Sequence, residues 1–341
     1  VTRSPAVPVL AAVVVTVLAW ASAFIGIRAV GQDLSPGALA LGRLLVGTAV
    51  LALLSLGRGW VAPTRREWAL LVLCGVGWFG VYNVALNAAE QHLDAGTTAM
   101  LVNTGPILIA VLAGLVLGEG FPGRLVAGLV VAFAGVLLIG VAGRDGRTDV
   151  LGVVLCLLAA VTYAVGVVAQ KPVLRRLPPL QVTLTACAVG AVCCLPWSGA
   201  LAAELAVAPA SSVLGTVYLG VVPTALAFST WAYALARVPA GRLGVTTYLV
   251  PPLVVLLSWL LLDEVPPAPA VAGGAVCLAG VALARSRGRV RPAAARGAAG
   301  TAPVQGTDAG LPAAGARRSF LRGRRAGPPR AAARRARSAA R

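Results

Sequence analysis

Residues 95–136, AGTTAMLVNTGPILIAVLAGLVLGEGFPGRLVAGLVVAFAGV, decide the fold, because their signposts return at residues 240–281. Ala95-Gly96, Pro106, Glu119, Pro122, Gly128 and Gly135-Val136 reappear 145 residues later as Ala240-Gly241, Pro251, Glu264, Pro267, Gly273 and Gly280-Val281, without a gap. Each copy reads as an apolar helix with a mid-helix proline, a short acidic turn, and a second apolar helix carrying glycines seven residues apart. Eight matches in one register exceed what two Ala- and Gly-rich segments share by chance, so the chain contains an internal duplication.

Outward from that stretch the chain is equally apolar. It is 58% hydrophobic and 12% charged, with a mean hydropathy of +0.87. A soluble domain carries about a quarter charged residues, so this composition belongs in lipid. Its charge is concentrated at one end: residues 285–341 hold 15 of the 29 Lys+Arg against one acid, Asp308. That stretch carries +14 of the net +18 and the rest only +4. Phe320 is its only aromatic, and it contains no nucleic-acid-binding module, so it reads as a solvated or headgroup-facing tail with no nucleic-acid partner. Its Arg/Ala/Gly/Pro composition predicts disorder over 286–341. The six cysteines lie within apolar runs and form no CxxC pair, as expected of buried packing residues rather than disulfides or metal ligands.

A hydrocarbon core about 30 Å thick takes roughly 20 apolar helical residues per crossing. Ten segments qualify: about 8–28, 36–56, 68–89, 95–117, 123–142, 150–169, 180–198, 211–235, 242–262 and 269–284. The connecting loops sort by charge. One side holds Arg3, Arg58, Arg65, Arg66, Arg124, Lys171, Arg175, Arg176, Arg237 and Arg242, together with the tail. The other holds Arg28, Arg144 and Arg147 among most of the acids. The positive-inside rule then places both termini in the cytoplasm.

Segments 1–2 also align with 6–7, at an offset of 143: Trp20, Arg28 and Pro36 match Tyr163, Lys171 and Pro179. The expected fold is therefore an all-α integral membrane protein of ten transmembrane helices in two five-helix repeats, 1–144 and 145–285. With five crossings each, the second copy enters the membrane from the opposite side. Inverted repeats of this kind are the architecture many secondary transporters use to build a midplane site and expose it alternately.

In Trp20-Ala21-Ser22-Ala23-Phe24, Pro36 with Arg43, residues 95–136, Tyr163-Ala164, Ala240-Gly241, Tyr248 with Pro251, and Glu264 through Val281, the chain resembles the drug/metabolite transporter superfamily, in its EamA-type branch. The resemblance covers about residues 8–284 and not the tail. It implies a multi-pass transporter of a bacterial plasma membrane that exports amino acids or other metabolites. It implies a small-molecule solute and membrane lipids as partners, and no cofactor.

Several positions are candidates for the solute route. Pro106 and Pro251 each lack an N–H, leaving the carbonyls of Val102 and Thr247 without a helical donor, either as packing kinks or as hinges that wall a site. One turn earlier stand Asn103 and its repeat mate Tyr248, expected to line a cavity. Arg43 lies among Leu41, Leu44, Leu45 and Val46, and its mate by the 143 offset is Ala186. It either snorkels to the interface or offers a guanidinium fork to a carboxylate. Asn83, Asn87 and Glu90 form one polar stripe, read as interhelical hydrogen bonding or as a polar lining. Glu90 or Asp94 could bind a coupling proton, but both are expected at the interface and solvated, and His92 in an ordinary outer loop. Trp20 and Tyr163 are aromatic candidates for the cavity. Glu119 and Glu264 occupy matching turns, read as helix caps or partners of a neighbouring helix end in preference to direct substrate coupling. Gly128/Gly135 and Gly273/Gly280 mark close helix packing.

There is no P-loop, no catalytic triad and no metal-ligand constellation, and His92 is the single histidine, so neither ATP drive nor enzyme chemistry is expected. The readings carried forward are a metabolite exporter, an exporter of cationic or amphiphilic drugs, and a non-transporting scaffold or sensor.

Overall fold

The computed structural model describes residues 6–117, 123–142, 149–238, 243 and 246–285. Helices account for nearly all of this, and no strand occurs among the described residues. They are α1 (Ala6–Val30), α2 (Pro36–Ser55), α3 (Arg65–Cys74), α4 (Tyr82–His92), α5 (Ala95–Val102), α6 (Gly105–Leu117), α7 (Gly123–Ala142), α8 (Val150–Val173), α9 (Pro179–Cys193), α10 (Ser198–Val207), α11 (Ala210–Leu219), α12 (Ala227–Arg237), α13 (Val250–Leu262) and α14 (Ala268–Arg285). The basic tail, Glu119 and the junction at 144/145 lie outside the described residues.

Local chemistry sets many of the boundaries. Thr64 and Glu67 form a capping box on α3, with the Glu67 amide donating to Thr64 Oγ1 at 3.3 Å and the Thr64 amide donating to Glu67 Oε2 at 2.7 Å. Asp94 accepts from the Thr97 amide at 2.8 Å and Asp149 from the Leu151 amide at 2.8 Å, capping α5 and α8. Prolines 36 and 179 open α2 and α9 at the first turn, where a missing N–H costs nothing.

Among the described residues, five helical runs are long and apolar enough to cross a membrane: Val7–Val30, Pro36–Ser55, Arg65–His92, Val150–Val173 and Ala210–Arg237. A sixth forms if Pro179–Cys193 and Leu195–Val207, which meet at 53°, are one span. The expected end near residue 198 is therefore revised. Pro196 in a 3₁₀ turn bends the chain, and α10 continues to Val207. The expected fourth and ninth helices are also not continuous. A turn at Asn103-Thr104 separates α5 from α6, and a 3₁₀ turn at Thr247–Leu249 precedes α13. Pro106 and Pro251 consequently sit in the first turn of a new helix rather than at a mid-helix kink. The Thr104 hydroxyl donates back to the Leu101 carbonyl at 2.8 Å, meeting part of the demand the break creates.

The duplication is visible in the element boundaries. α3 and α11, α4 and α12, and α6 and α13 begin and end 145 residues apart. Between the first two pairs lies a shared irregularity, a seven-residue π-helical segment at Gly75–Val81 and again at Gly220–Leu226. The halves are not separate bodies. α2 packs on α9, α1 on α12 and α13, α4 on α8, α5 on α13, and α7 on α14. The α7–α14 seam is reciprocal. A Cβ on Gly135 would lie 2.6 Å from the Gly273 carbonyl oxygen, and one on Gly280 would lie 2.7 Å from that of Gly128. The repeated glycines thus face each other.

The connecting turns collect at two ends. At one, the Val61 amide donates to Gln181 Oε1 at 3.1 Å, Gln181 Nε2 donates to the Val61 carbonyl at 2.7 Å, and Arg176 pairs with Glu67. At the other, the Ser35 amide donates to Glu204 at 2.8 Å, Ser212 to Asp33 at 2.5 Å, His92 pairs with Asp149 at 2.7 Å, and Arg28 with Glu264 at 2.7 Å. The Leu151 amide, and then His92, hold the Asp149 carboxyl below its usual range. Between the two ends the outward faces carry large exposed apolar side chains such as Leu10, Leu53, Leu214 and Leu261, as lipid contact requires.

Candidate functional site

Near the centre of the bundle, aromatic side chains from both halves enclose a cavity of about 50 Å³. Trp20 comes from α1, Trp78 from the first π-helical segment, Tyr163 from α8 and Phe228 from α12. Trp78 is the hub, its ring centroid 5.1 Å from that of Tyr163, 5.0 Å from that of Phe228 and 6.2 Å from that of Trp20. Trp20 also packs on Trp231 at 5.0 Å. Contacts at these separations are the ordinary range for aromatic pairs and make a stiff wall.

The cavity's charged member is Arg43. It is 3% exposed, so it does not snorkel to an interface. Its Nε donates to Thr224 Oγ1 at 3.1 Å, and the same hydroxyl donates to the Leu219 carbonyl at 2.7 Å. Thr224 belongs to the second π-helical segment, beside Pro223, where a regular ladder of i→i−4 bonds is interrupted. Arg43 Nη1 is buried and has no protein partner. The site therefore presents a cation with a spare donor against aromatic faces. Asn103 adds a neutral polar group: its Nδ2 donates to the Ala99 carbonyl at 3.3 Å, and its Oδ1 is buried without a partner.

Of the residues singled out in the sequence, Trp20, Arg43, Asn103 and Tyr163 come together on this cavity, whereas Asn83, Asn87 and Tyr248 do not line it. Asn83 Nδ2 donates at 2.6 Å to the Phe79 carbonyl, within the first π-helical segment. Asn87 Nδ2 donates across to the Pro36 carbonyl at 3.0 Å, tying α4 to the start of α2. Tyr248 packs against Ile107 and Ala132, and its neighbour Thr247 faces the cavity instead. The two breaks differ: a 3₁₀ turn advances about 120° per residue, so Tyr248 is turned away from the direction that Asn103 takes. Pro106 and Pro251 stand just beyond the two breaks. Glu264 pairs with Arg28, near the end of α1. Glu90, expected in solvent, is 2% exposed, because the Arg28–Glu264 pair closes over the end of α4. Asp94 is the N-cap of α5.

Sequence reasoning missed Thr224, Trp78 and Phe228. The available signal was Pro223 inside the apolar run 211–235, at the place where the first copy has Gly75, Gly77 and Gly80. Both compositions disturb a helix, but neither specifies a π turn.

A helical bundle crossing the membrane several times, with a largely apolar cavity that holds a buried arginine and is walled by two copies of one unit, is the form of a solute transporter. The chain belongs to the EamA-like transporter family, whose pattern matches twice, over residues 7–141 and 150–286. It is 38% identical over 288 residues to a probable terminal-alkyne amino-acid exporter of Streptantibioticus cattleyicolor, covering 84% of this chain and 97% of that one. It is 32% identical to YdfC, an uncharacterised transporter of Bacillus subtilis, over 77% of this chain and 86% of that one. A crystal structure 23% identical to this chain has the same fold, with a TM-score of 0.57 over 82% of this chain and 97% of that one. Proteins of this kind are in general not enzymes.

Proposed function

We propose that the protein is a secondary exporter of a small amino-acid-like or other polar metabolite, working by alternating access. The observation that carries this reading is the buried Arg43 guanidinium, with Nη1 unpartnered, in a cavity walled by both repeats. A guanidinium suits the carboxylate of such a solute, and the aromatic faces suit its apolar part. The name of the 38% identical relative, an amino-acid exporter, supports the same solute class. A buried cation in the same cavity repels cationic drugs, so the metabolite reading is preferred to the drug reading. A cavity of about 50 Å³ holds a few water molecules at most, so loading requires the wall helices to part. The breaks before Pro106 and Pro251 and the two π-helical segments are where the backbone ladder is weakest, and they serve as hinges.

In this reading the chain crosses the plasma membrane of a bacterium ten times, as inverted halves 1–144 and 145–285, with the tail 286–341 in the cytoplasm. The broken pairs α5–α6 and the 3₁₀ turn with α13 each count as one crossing. Reporters at residue 61, within 172–178 and beyond residue 290 are then expected to read cytoplasmic, and those at 92 and 205 external. Residue 61 and the tail on opposite sides would refute the ten-crossing count.

The function itself is tested by reconstituting the purified protein in liposomes preloaded with unlabelled amino acids and following uptake of a mixture of labelled ones. Exchange above that of protein-free liposomes is expected for at least one member. No exchange of any amino acid or small carboxylate would favour the scaffold or sensor reading.

A further inference from the structure

Resting on the transport reading, we infer that Glu90 is the site of a coupling proton, held as a neutral carboxylic acid in the form described and released when the Arg28–Glu264 pair opens. Nothing in the central cavity requires Glu90, which lies in the last turns of α4 and borders a separate cavity of about 260 Å³ with Arg28 and Asn87. The side chain is 2% exposed, and both carboxylate oxygens are buried without a hydrogen-bond partner. A carboxylate in that condition loses its hydration with nothing in return, a penalty that protonation removes.

The obvious counter-ion is close but committed elsewhere. Arg28 donates its Nε to Glu264 Oε1 at 2.7 Å, and its Nη1 donates to the Glu90 backbone carbonyl rather than to the carboxylate. The other ionisable groups around Glu90 are Tyr82 on α4 itself, Arg43 on α2, Asp94 at the start of α5, Glu264 and Cys156 on α8. Two of these are acids that oppose ionisation, and Arg43 is bonded to Thr224. On its outer side Arg28 also borders an open polar vestibule with Asp94 and Glu264.

The geometry defines a two-state exchange. With Arg28 on Glu264, Glu90 keeps its proton. When α1 and the α13–α14 turn separate, water enters, the Glu90 O–H bond gives its proton to that water, and Arg28 turns to pair with the carboxylate. Reprotonation comes from water reaching Glu90 after the site has turned to the opposite side, so one proton crosses the membrane per cycle, and the reverse sequence carries it back. Tyr82 and Leu86 of α4 line the Arg43 cavity, and Glu90 follows Leu86 by one helical turn on the same face, which lets one movement expose both.

Two measurements test this. The first is independent of any solute: infrared spectra of the purified protein at pH 7 should contain a protonated-carboxyl C=O band that is absent in Glu90→Gln. With only 11 Asp+Glu in the whole chain, such a band is assignable. Its absence from the wild type overturns the proposal, and if Glu90→Gln fails to fold, the wild-type band and its loss at higher pH decide. The second uses the labelled amino-acid mixture. The wild type should accumulate label at least tenfold better with an imposed proton gradient, and Glu90→Gln should lose that gain while exchange between the two sides survives within about twofold. Gradient-driven accumulation by Glu90→Gln, or drive by a sodium gradient in place of protons, overturns it. Exchange without any proton response defeats coupling but leaves transport standing. Absence of all exchange defeats the transport reading, and coupling with it, while the infrared band still reports whether Glu90 holds a proton.

Discussion

Arg43→Ala is expected to reach the membrane at normal levels and to reduce solute exchange to near background. The guanidinium is 3% exposed, makes one bond to Thr224 through Nε, and keeps Nη1 unpartnered in the cavity. A buried charge with an unused donor is expensive to hold, roughly 2.5–3.5 kcal/mol at mid-membrane on insertion scales, so its retention calls for a partner that is present only part of the time. A hydrogen bond to a charged group contributes about 1.5–3 kcal/mol, and each 1.4 kcal/mol is tenfold in affinity, so loss of a solute carboxylate contact predicts a fall of about 10- to 100-fold. Arg43→Lys keeps the charge but not the planar fork and should fall in between. The fold should survive, because the Thr224 hydroxyl still donates to the Leu219 carbonyl once the arginine is gone. Flux of the alanine variant at wild-type rates would leave Arg43 without a role in solute binding. Failure to accumulate in the membrane would make the residue structural.

The other large effect belongs to the α7–α14 seam. Ala favours a helix over Gly by about 1 kcal/mol, so Gly135→Ala and Gly280→Ala would be stabilising if the helices were isolated. The packing reverses the sign. A Cβ on Gly135 lies 2.6 Å from the Cys277 amide nitrogen and from the Gly273 carbonyl oxygen, and these are backbone atoms that cannot rotate aside. The helices must separate, and overpacking of that kind costs about 1–3 kcal/mol or more at each site. Both variants should lose monodispersity in detergent at temperatures the wild type tolerates, and the double variant should not be recovered. Gly123→Ala on the same helix is the control, since its Cβ meets nothing within 4 Å and only the propensity gain remains. If all three behaved alike, close packing at the seam would not be what holds these helices together.

The seam was legible because a glycine pair repeated at a fixed offset has few other physical explanations. The long apolar runs and the arginine among leucines were legible for similar reasons: each is a local signal that holds whatever surrounds it. The fate of Glu90 was not. An acid near the end of an apolar helix looks solvated until Arg28 and Glu264, 236 residues apart, meet over it. The cavity wall was half legible. Trp20 and Tyr163 announce themselves as repeat mates, while Trp78 and Phe228 have no aromatic mate and reach the cavity through π-helical geometry that composition does not encode. Asn103 and Tyr248 show the limit of symmetry as a guide. The register matches, but one break is an open turn and the other a 3₁₀ turn, and only one of the two side chains faces inward.

The paired π-helical segments also carry a history. Such segments are rare, yet two of seven residues each occur at one offset in the two copies, with α3 and α4 matched to α11 and α12 on either side. Gain of the irregularity once, before the gene doubled, accounts for this more simply than two separate gains at the same place. The half-length ancestor then already had the bulge that now supports Trp78 in one copy and Thr224 in the other, and it already had the glycine face of α7. That face now closes against its own copy, α14 of the second half. With both copies on one chain, the halves differ freely at matched positions, one having an arginine at position 43 where the other has Ala186.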